Sequence, residues 1–187
     1  MTTLEAPPAP AVGVMEDRWA TTVWLGTIQP AVDHELLRTQ MRRTTHGRRQ
    51  VDAGDILDAA QACVVLSTLA QTIQLEAAEP APVRLSVQIW AAGYRVPLAY
   101  GHGPWSAWCC LATVGDALQE RSGALCLHDP RAGCDAAAVP GLPWGRALAV
   151  QAQPGLAVLA PGWLARSVLP VTPGHTVAVL TAEATHP

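Results

Sequence analysis

The spacing of apolar residues changes once along the chain, from a helical period to short strand-like runs. Trp19 to Ile28 (WATTVWLGTI) is rich in β-branched and aromatic residues and predicts a first strand, ended by Gln29 and Pro30. Asp33 is an N-cap candidate for a short helix reaching about Arg43, with Leu36, Leu37, Gln40 and Met41 on one side. Thr44 to Gly54 is polar, holds two glycines and predicts a loop. Asp55 then opens a long helix over about Ile56 to Ala77. There Ile56, Leu57, Ala60, Cys63, Val64, Ser67, Leu69, Ala70 and Ile73 approximate helical spacing. Glu79 to Pro82 (EPAP) reads as a hinge. Beyond Val83, short apolar runs alternate with Gly and Pro turns. They predict strands near Leu85–Trp90, Ser106–Thr113, Gly123–His128, Arg146–Gln151, Leu156–Leu159, Ala165–Leu169 and Thr176–Thr181. Strands this short and this frequent predict an antiparallel sandwich or jelly roll. Helices first and strands after give an α+β chain, mainly β, with the N-terminal helices packed outside the core. The implied plan is a disordered tail over 1–15 and one domain over 16–187. Its helical part spans about 31–78 and its jelly-roll core about 83–182.

Composition narrows the functional classes. The 187 residues suffice for a sizeable core, and 50% are apolar, which argues against disorder over most of the length. Lys, Asn and Phe are absent, and a GC-rich bacterial genome is the simple explanation, so all twelve positive charges are Arg. A net charge of −3 argues against a nucleic-acid partner. The local basic run Arg42, Arg43, His46, Arg48, Arg49 reads first as a solvated loop, second as a contact for an anion. Met1 to Val14 lacks a basic stretch before an apolar one, and no run of 18 apolar residues appears, so a cytoplasmic protein without a membrane span is expected. Five cysteines without a secretory signal fit free thiols.

Several motifs stand in order along the strand half. They are Gln88–Trp90 with Gly93, then Trp105–Ser106–Ala107. Ser122–Gly123–Ala124–Leu125 follows, with His128–Asp129–Pro130–Arg131, and last comes the stretch Pro154 to Leu164 (PGLAVLAPGWL). Together they cover most of residues 84–182. In order and spacing they resemble a bacterial family of Fe(II)/2-oxoglutarate-dependent oxygenases built on a double-stranded β-helix. That resemblance implies two His and a third ligand around Fe(II), with open positions for 2-oxoglutarate and oxygen. The first ligands belong in an H-x-H-P stretch before the Trp–Ser pair, where this chain reads Pro97 to Pro104 (PLAYGHGP). Without a gap, Leu98 and Tyr100 take the ligand positions; with a gap of two, Tyr100 and His102 take them. Arg166 stands at the distal His, and His175, Thr176 and Val177 occupy the region of the co-substrate arginine. Leu has no lone pair for a metal, and Arg166 brings a fixed positive charge to a cation's place. The resemblance thus implies a scaffold whose iron-ligand and co-substrate residues are lost.

The vacated site has candidate chemistry of its own. Trp90, Tyr94, Tyr100, Trp105 and Trp108 cluster around it in the family register, and a cavity lined by indoles suits a bulky apolar or aromatic ligand. Each of these aromatics is equally well explained as core, since Trp and Leu must fill space without Phe. Arg166 in such a cavity needs an internal carboxylate or a bound anion, with Asp116 and Glu120 as internal candidates. Asp129 is better placed to hold Arg131 in its own turn. Cys126 and His128 share a strand face and, with Cys109 or Cys110, form a weak candidate for a soft metal site; a buried thiol and a strand-end His are the plainer reading. No G-x-S-x-G, Ser-His-Asp, P-loop or G-x-G-x-x-G signature is present.

The expectation is therefore a non-redox enzyme without metal or cofactor, acting on a bulky, partly apolar small molecule by cyclisation, isomerisation or elimination in bacterial specialised metabolism. His102, Tyr100 and Arg166 are the catalytic candidates. Trp90, Tyr94, Leu98, Trp105, Trp108 and His175 are the substrate-facing ones. A non-catalytic binding or accessory protein, and a true oxygenase with relocated ligands, are the alternatives. A homodimer is compatible with all three. The site should open as a cavity of roughly 300 Å³ or more.

Overall fold

The computed structural model describes residues 12–18, 21–75, 81–117, 119–131 and 145–185. The calls on Trp19, Glu79, Cys134 and Trp144, and on the first eleven residues, lie outside these. The chain runs β1 (Val12–Arg18), β2 (Thr21–Thr27), α1 (His34–Arg43), β3 (Arg48–Val51), α2 (Ala53–Ile56), α3 (Ala59–Thr72), β4 (Val83–Trp90) and β5 (Val96–Ala99). It continues through β6 (Trp105–Val114), β7 (Leu125–Leu127), β8 (Leu148–Val150), β9 (Leu156–Pro161), β10 (Arg166–Val168) and β11 (Thr176–Ala184). Two antiparallel sheets face each other. One has seven strands in the order β1-β2-β9-β6-β11-β4-β3, the other four in the order β5-β10-β7-β8. This is the expected jelly-roll sandwich with helices outside it. No described helix is long and apolar enough to cross a membrane.

Strand alternation sorts the side chains into two cores. On the outer face of the large sheet, Val87, Ile89, Trp105, Ala107, Cys109, Leu159 and Leu180 pack against Leu37, Met41, Ile56, Leu66 and Ile73 of the helices. On its inner face, Trp90, Cys110, Val158, Val177 and Val179 meet Leu125, Leu127 and Val168 of the small sheet.

Four local expectations need correction. Residues 12–15, expected in the tail, belong to β1, which pairs with β2 from Val12↔Thr27 to Arg18↔Thr21. The expected loop Thr44–Gly54 contains β3, an edge strand whose residues RRQV carry no apolar signal until Val51. Charged edges of this kind block further strand addition. The long helix is two helices. Asp52 caps α2 through Gly54 N, Asp58 caps α3 through Gln61 N, and Leu57 between them is extended and bridges to Val32. Two competing caps break the helical pattern that Asp55 was expected to start. Finally, β5 was missed because Pro97 sits inside it, which an edge strand tolerates. The cap expected at Asp33 is present: its carboxylate accepts from Glu35 N at 3.1 Å and Leu36 N at 2.9 Å.

Candidate functional site

A cleft of about 350 Å³ opens between the two sheets. Its floor is the inner face of β4. In VRLSVQIW the odd positions Val83, Leu85, Val87 and Ile89 face the helices, so Arg84, Ser86, Gln88 and Trp90 face inward and line the cleft. β3 adds Arg48 and Gln50, β11 adds Thr181 and Glu183, and β10 closes the opposite side with Arg166 to Val168. Polar neighbours satisfy one another across the floor. Ser86 Oγ lies 2.8 Å from Thr181 Oγ1, and Trp90 Nε1 donates to Gln88 Oε1 at 3.1 Å. Trp90 and Tyr94 form a tilted ring pair with centroids 5.4 Å apart. Tyr94 is pushed up by burial, which the hydrogen-bonded Arg48 guanidinium partly offsets.

Arg166 is fixed on three sides. Its Nη2 donates to Glu183 Oε1 at 2.5 Å, its Nη1 reaches Gly162 O at 3.4 Å, and its Cζ lies 4.8 Å from the Trp108 ring centroid. The Arg166 side chain is 13% exposed and that of Glu183 44%. Burial lowers the Arg166 pKa while the adjacent carboxylate opposes the shift. The internal partner is thus Glu183, neither Asp116 nor Glu120. Asp129 is taken by Arg131, whose Nε donates to Asp129 Oδ1 at 2.9 Å.

The structure brings together four of the nine candidates, Arg166, Trp90, Tyr94 and Trp108. The other five lie elsewhere. Tyr100 is 60% exposed and Leu98 49%, and His102 is exposed beside them on the segment after edge strand β5. Trp105 is fully buried but on the helix side of β6, with Ala107 and Cys109. His175 is buried in a separate network: its Nδ1 lies 2.8 Å from Ser122 Oγ, which accepts from Thr172 N at 2.9 Å. Burial lowers the His175 pKa. The residues that sequence reasoning missed are Gln50, Arg84, Ser86, Gln88, Thr181 and Glu183; Arg48 had been named only within a basic run able to contact an anion. The signal was present in β4, where Arg84, Ser86 and Gln88 alternate with apolar residues.

The soft-metal candidates are also kept apart. Cys109 faces the helices, Cys110 faces the sandwich interior, and Cys126 and His128 lie on the face of β7 away from Leu125 and Leu127. His128 Nε2 is engaged at 2.8 Å with Ser167 Oγ. Among the described residues no group of three or more His, Cys, Asp or Glu could hold a metal ion. Among the described residues the cleft lining supplies no imidazole or thiolate, and its single carboxylate is paired with Arg166. Three guanidiniums and one engaged carboxylate do not fit Fe(II), which needs neutral imidazole and free carboxylate donors.

No family model matches the chain, and no curated protein matches it by sequence. Solved structures do resemble it. A prolyl-4-hydroxylase from Pseudomonas putida is 15% identical, covers 81% of this chain and 85% of its own, and superposes with a TM-score of 0.55. HygX from Streptomyces hygroscopicus, solved with nickel, 2-oxoglutarate and hygromycin B bound, is 12% identical, covers 88% and 83%, and has a TM-score of 0.50. Likeness at these identities shows the fold. The chain shares the jelly-roll fold of these two structures, with a cleft between its sheets lined by arginines and aromatic rings.

Proposed function

We propose that the protein acts without metal, oxygen or 2-oxoglutarate on a bulky, partly aromatic small molecule bearing an acidic or carbonyl group. The reaction would be non-redox: a cyclisation, isomerisation or elimination. The observation that supports this reading is Arg166, held inside the cleft by Glu183 and Trp108. A fixed guanidinium there repels a cation and stabilises negative charge developing on a substrate oxygen. Trp90, Tyr94 and Trp108 restrict the substrate to one conformer. Glu183, the one carboxylate lining the cleft, takes the proton-transfer role foreseen for Tyr100 and His102. Cytoplasmic location and a small-molecule partner belong to the same proposal. The test combines metal analysis of the purified protein with turnover of candidate substrates. Iron well below one equivalent and turnover that survives chelation and exclusion of oxygen are expected; stoichiometric iron with conversion of 2-oxoglutarate to succinate would reject the reading. A second reading, binding without turnover, is favoured by the exposure of Tyr100 and His102 outside the cleft. It predicts saturable binding of such molecules with no chemical change.

A further inference from the structure

The cleft carries more positive charge than its ion pair uses. Four charged side chains line it, and Arg166 and Glu183 neutralise each other at 2.5 Å. Arg48 and Arg84 have no carboxylate partner among the described residues. These two stand at opposite ends. Arg84 is the cross-strand partner of Glu183, whereas Arg48 is the cross-strand partner of Trp90, six residues further along β4. That is roughly 20 Å of strand, shortened by the reach of both side chains into the cleft. The chain as a whole has a net charge of −3, so the excess is local, and an unpaired cation at each end of a walled cleft concentrates anions there.

The Arg48 end also offers the hydroxyl of Tyr94, which lines the cleft near that guanidinium. Between the ends, Ser86, Gln88 and Thr181 are occupied with one another, and Trp90 and Trp108 supply flat apolar surface.

We infer that the cleft takes an elongated diacid, with one carboxylate, sulfonate or phosphate at each end of an apolar or flat middle. Arg84 holds one group and Arg48 the other, with the Arg166–Glu183 pair beside Arg84. This deepens the proposed function and rests on the cleft being its ligand site. Both arginines are exposed, so their removal leaves the cores intact.

The test uses α,ω-dicarboxylates of four to twelve carbons, biphenyl-4,4′-dicarboxylate, their monoacid counterparts, inorganic phosphate and the neutral probe 1-naphthol. Binding is read by calorimetry and by quenching of tryptophan fluorescence. A diacid is expected to bind about tenfold or more tighter than its monoacid. Arg48→Ala and Arg84→Ala should each remove that advantage. Arg49→Ala, on the alternate position of β3, should not. Equal binding of monoacids and diacids, absence of diacid binding at millimolar concentration, or indifference to Arg48→Ala and Arg84→Ala would overturn the inference. Phosphate binding as tight as the best diacid, and lost on removing only one arginine, would also overturn it in favour of a single-point anion site. If diacids fail but 1-naphthol still quenches the fluorescence, the diacid inference falls while the small-molecule cleft stands.

Discussion

Arg166 was expected to be a pocket residue, and its surroundings give it a structural role as well. It projects from β10 of the small sheet to Glu183 on β11 of the large one and packs over Trp108 of β6, so it ties the two sheets together at the cleft. The perturbation is Arg166→Ala, with Glu183→Ala and the double variant. A partly exposed ion pair contributes about 0.2–1 kcal/mol, and the low exposure of the arginine side chain, 13%, places this one in the upper half. A guanidinium over an indole adds about 1 kcal/mol, and the covered stem a comparable or smaller packing term. Arg166→Ala therefore costs about 2–3 kcal/mol and lowers Tm by roughly 4–12 °C in a domain of this size. Glu183 is 44% exposed and regains water when alone, so Glu183→Ala costs less, with a coupling energy of about 0.5–1 kcal/mol in the double-mutant cycle. Urea unfolding followed by tryptophan fluorescence measures all four proteins. A loss under about 0.5 kcal/mol for Arg166→Ala, with no coupling to Glu183, would show that the pair does not hold the sheets.

Three further outcomes are expected. His175 Nδ1 lies 2.8 Å from Ser122 Oγ, and burial depresses its pKa below the ordinary 6.5. The unfolded chain therefore takes up a proton below 6.5 that the native site refuses, and stability is full above that pH and falls as pH drops further, a component that His175→Gln should abolish in urea titrations. Cys109 and Cys110 are both pushed up to about 12 by burial, so native protein at pH 8 should leave them unmodified by a thiol-specific disulfide reagent until unfolding exposes them, as peptide mapping would read. A Cβ on Gly162 would overlap the carbonyl oxygen of Gly103, so Gly162→Ala forces backbone apart beside Arg166 and should lower Tm by at least about 5 °C; an unchanged melting curve would contradict the packing.

What the sequence made legible follows from how each element is buried. Strands covered on both faces, such as β6 and β11, carry dense apolar runs and stood out at once. The edge strands β3 and β5 did not, because one is polar almost throughout and the other contains Pro97. The helix break at Leu57 turned on which of Asp52, Asp55 and Asp58 would cap, a choice set by the bridge from Leu57 to Val32 far away in sequence. In the site, Trp90, Tyr94, Trp108 and Arg166 were reached through the family resemblance and the aromatic cluster. Trp105 was misassigned although the sequence already opposed it. Trp105 and Trp108 are three apart on one strand, an odd separation that sends them to opposite faces. Leu98, Tyr100 and His102 failed for another reason: Leu98 lies in an unrecognised edge strand, the other two just beyond it, and all three are exposed.

The two faces of the large sheet explain how this fold tolerates so polar a cleft. A sandwich of this size normally fills the space between its sheets with apolar side chains. Here the helices give the sheet a second, larger core on its outer face, where Val87, Ile89, Trp105, Leu159 and Leu180 are buried with Leu37, Met41, Ile56 and Leu66. The sandwich interior then needs apolar packing over only part of its area, around Leu125, Leu127, Val158, Val168, Val177 and Val179. The remaining part, from Arg84 to Gln88 along β4, is released from core duty and carries Arg, Ser and Gln instead, with Thr181 of β11 across from Ser86. Polar residues at alternate positions of a central strand cost stability unless something else holds the sheet, and here the helix layer does so. Residues that are costly to the fold, mutually satisfied at the floor and charged at both ends are those the proposed ligand site would use, and on β4 they alternate with the residues that pack the helix-side core.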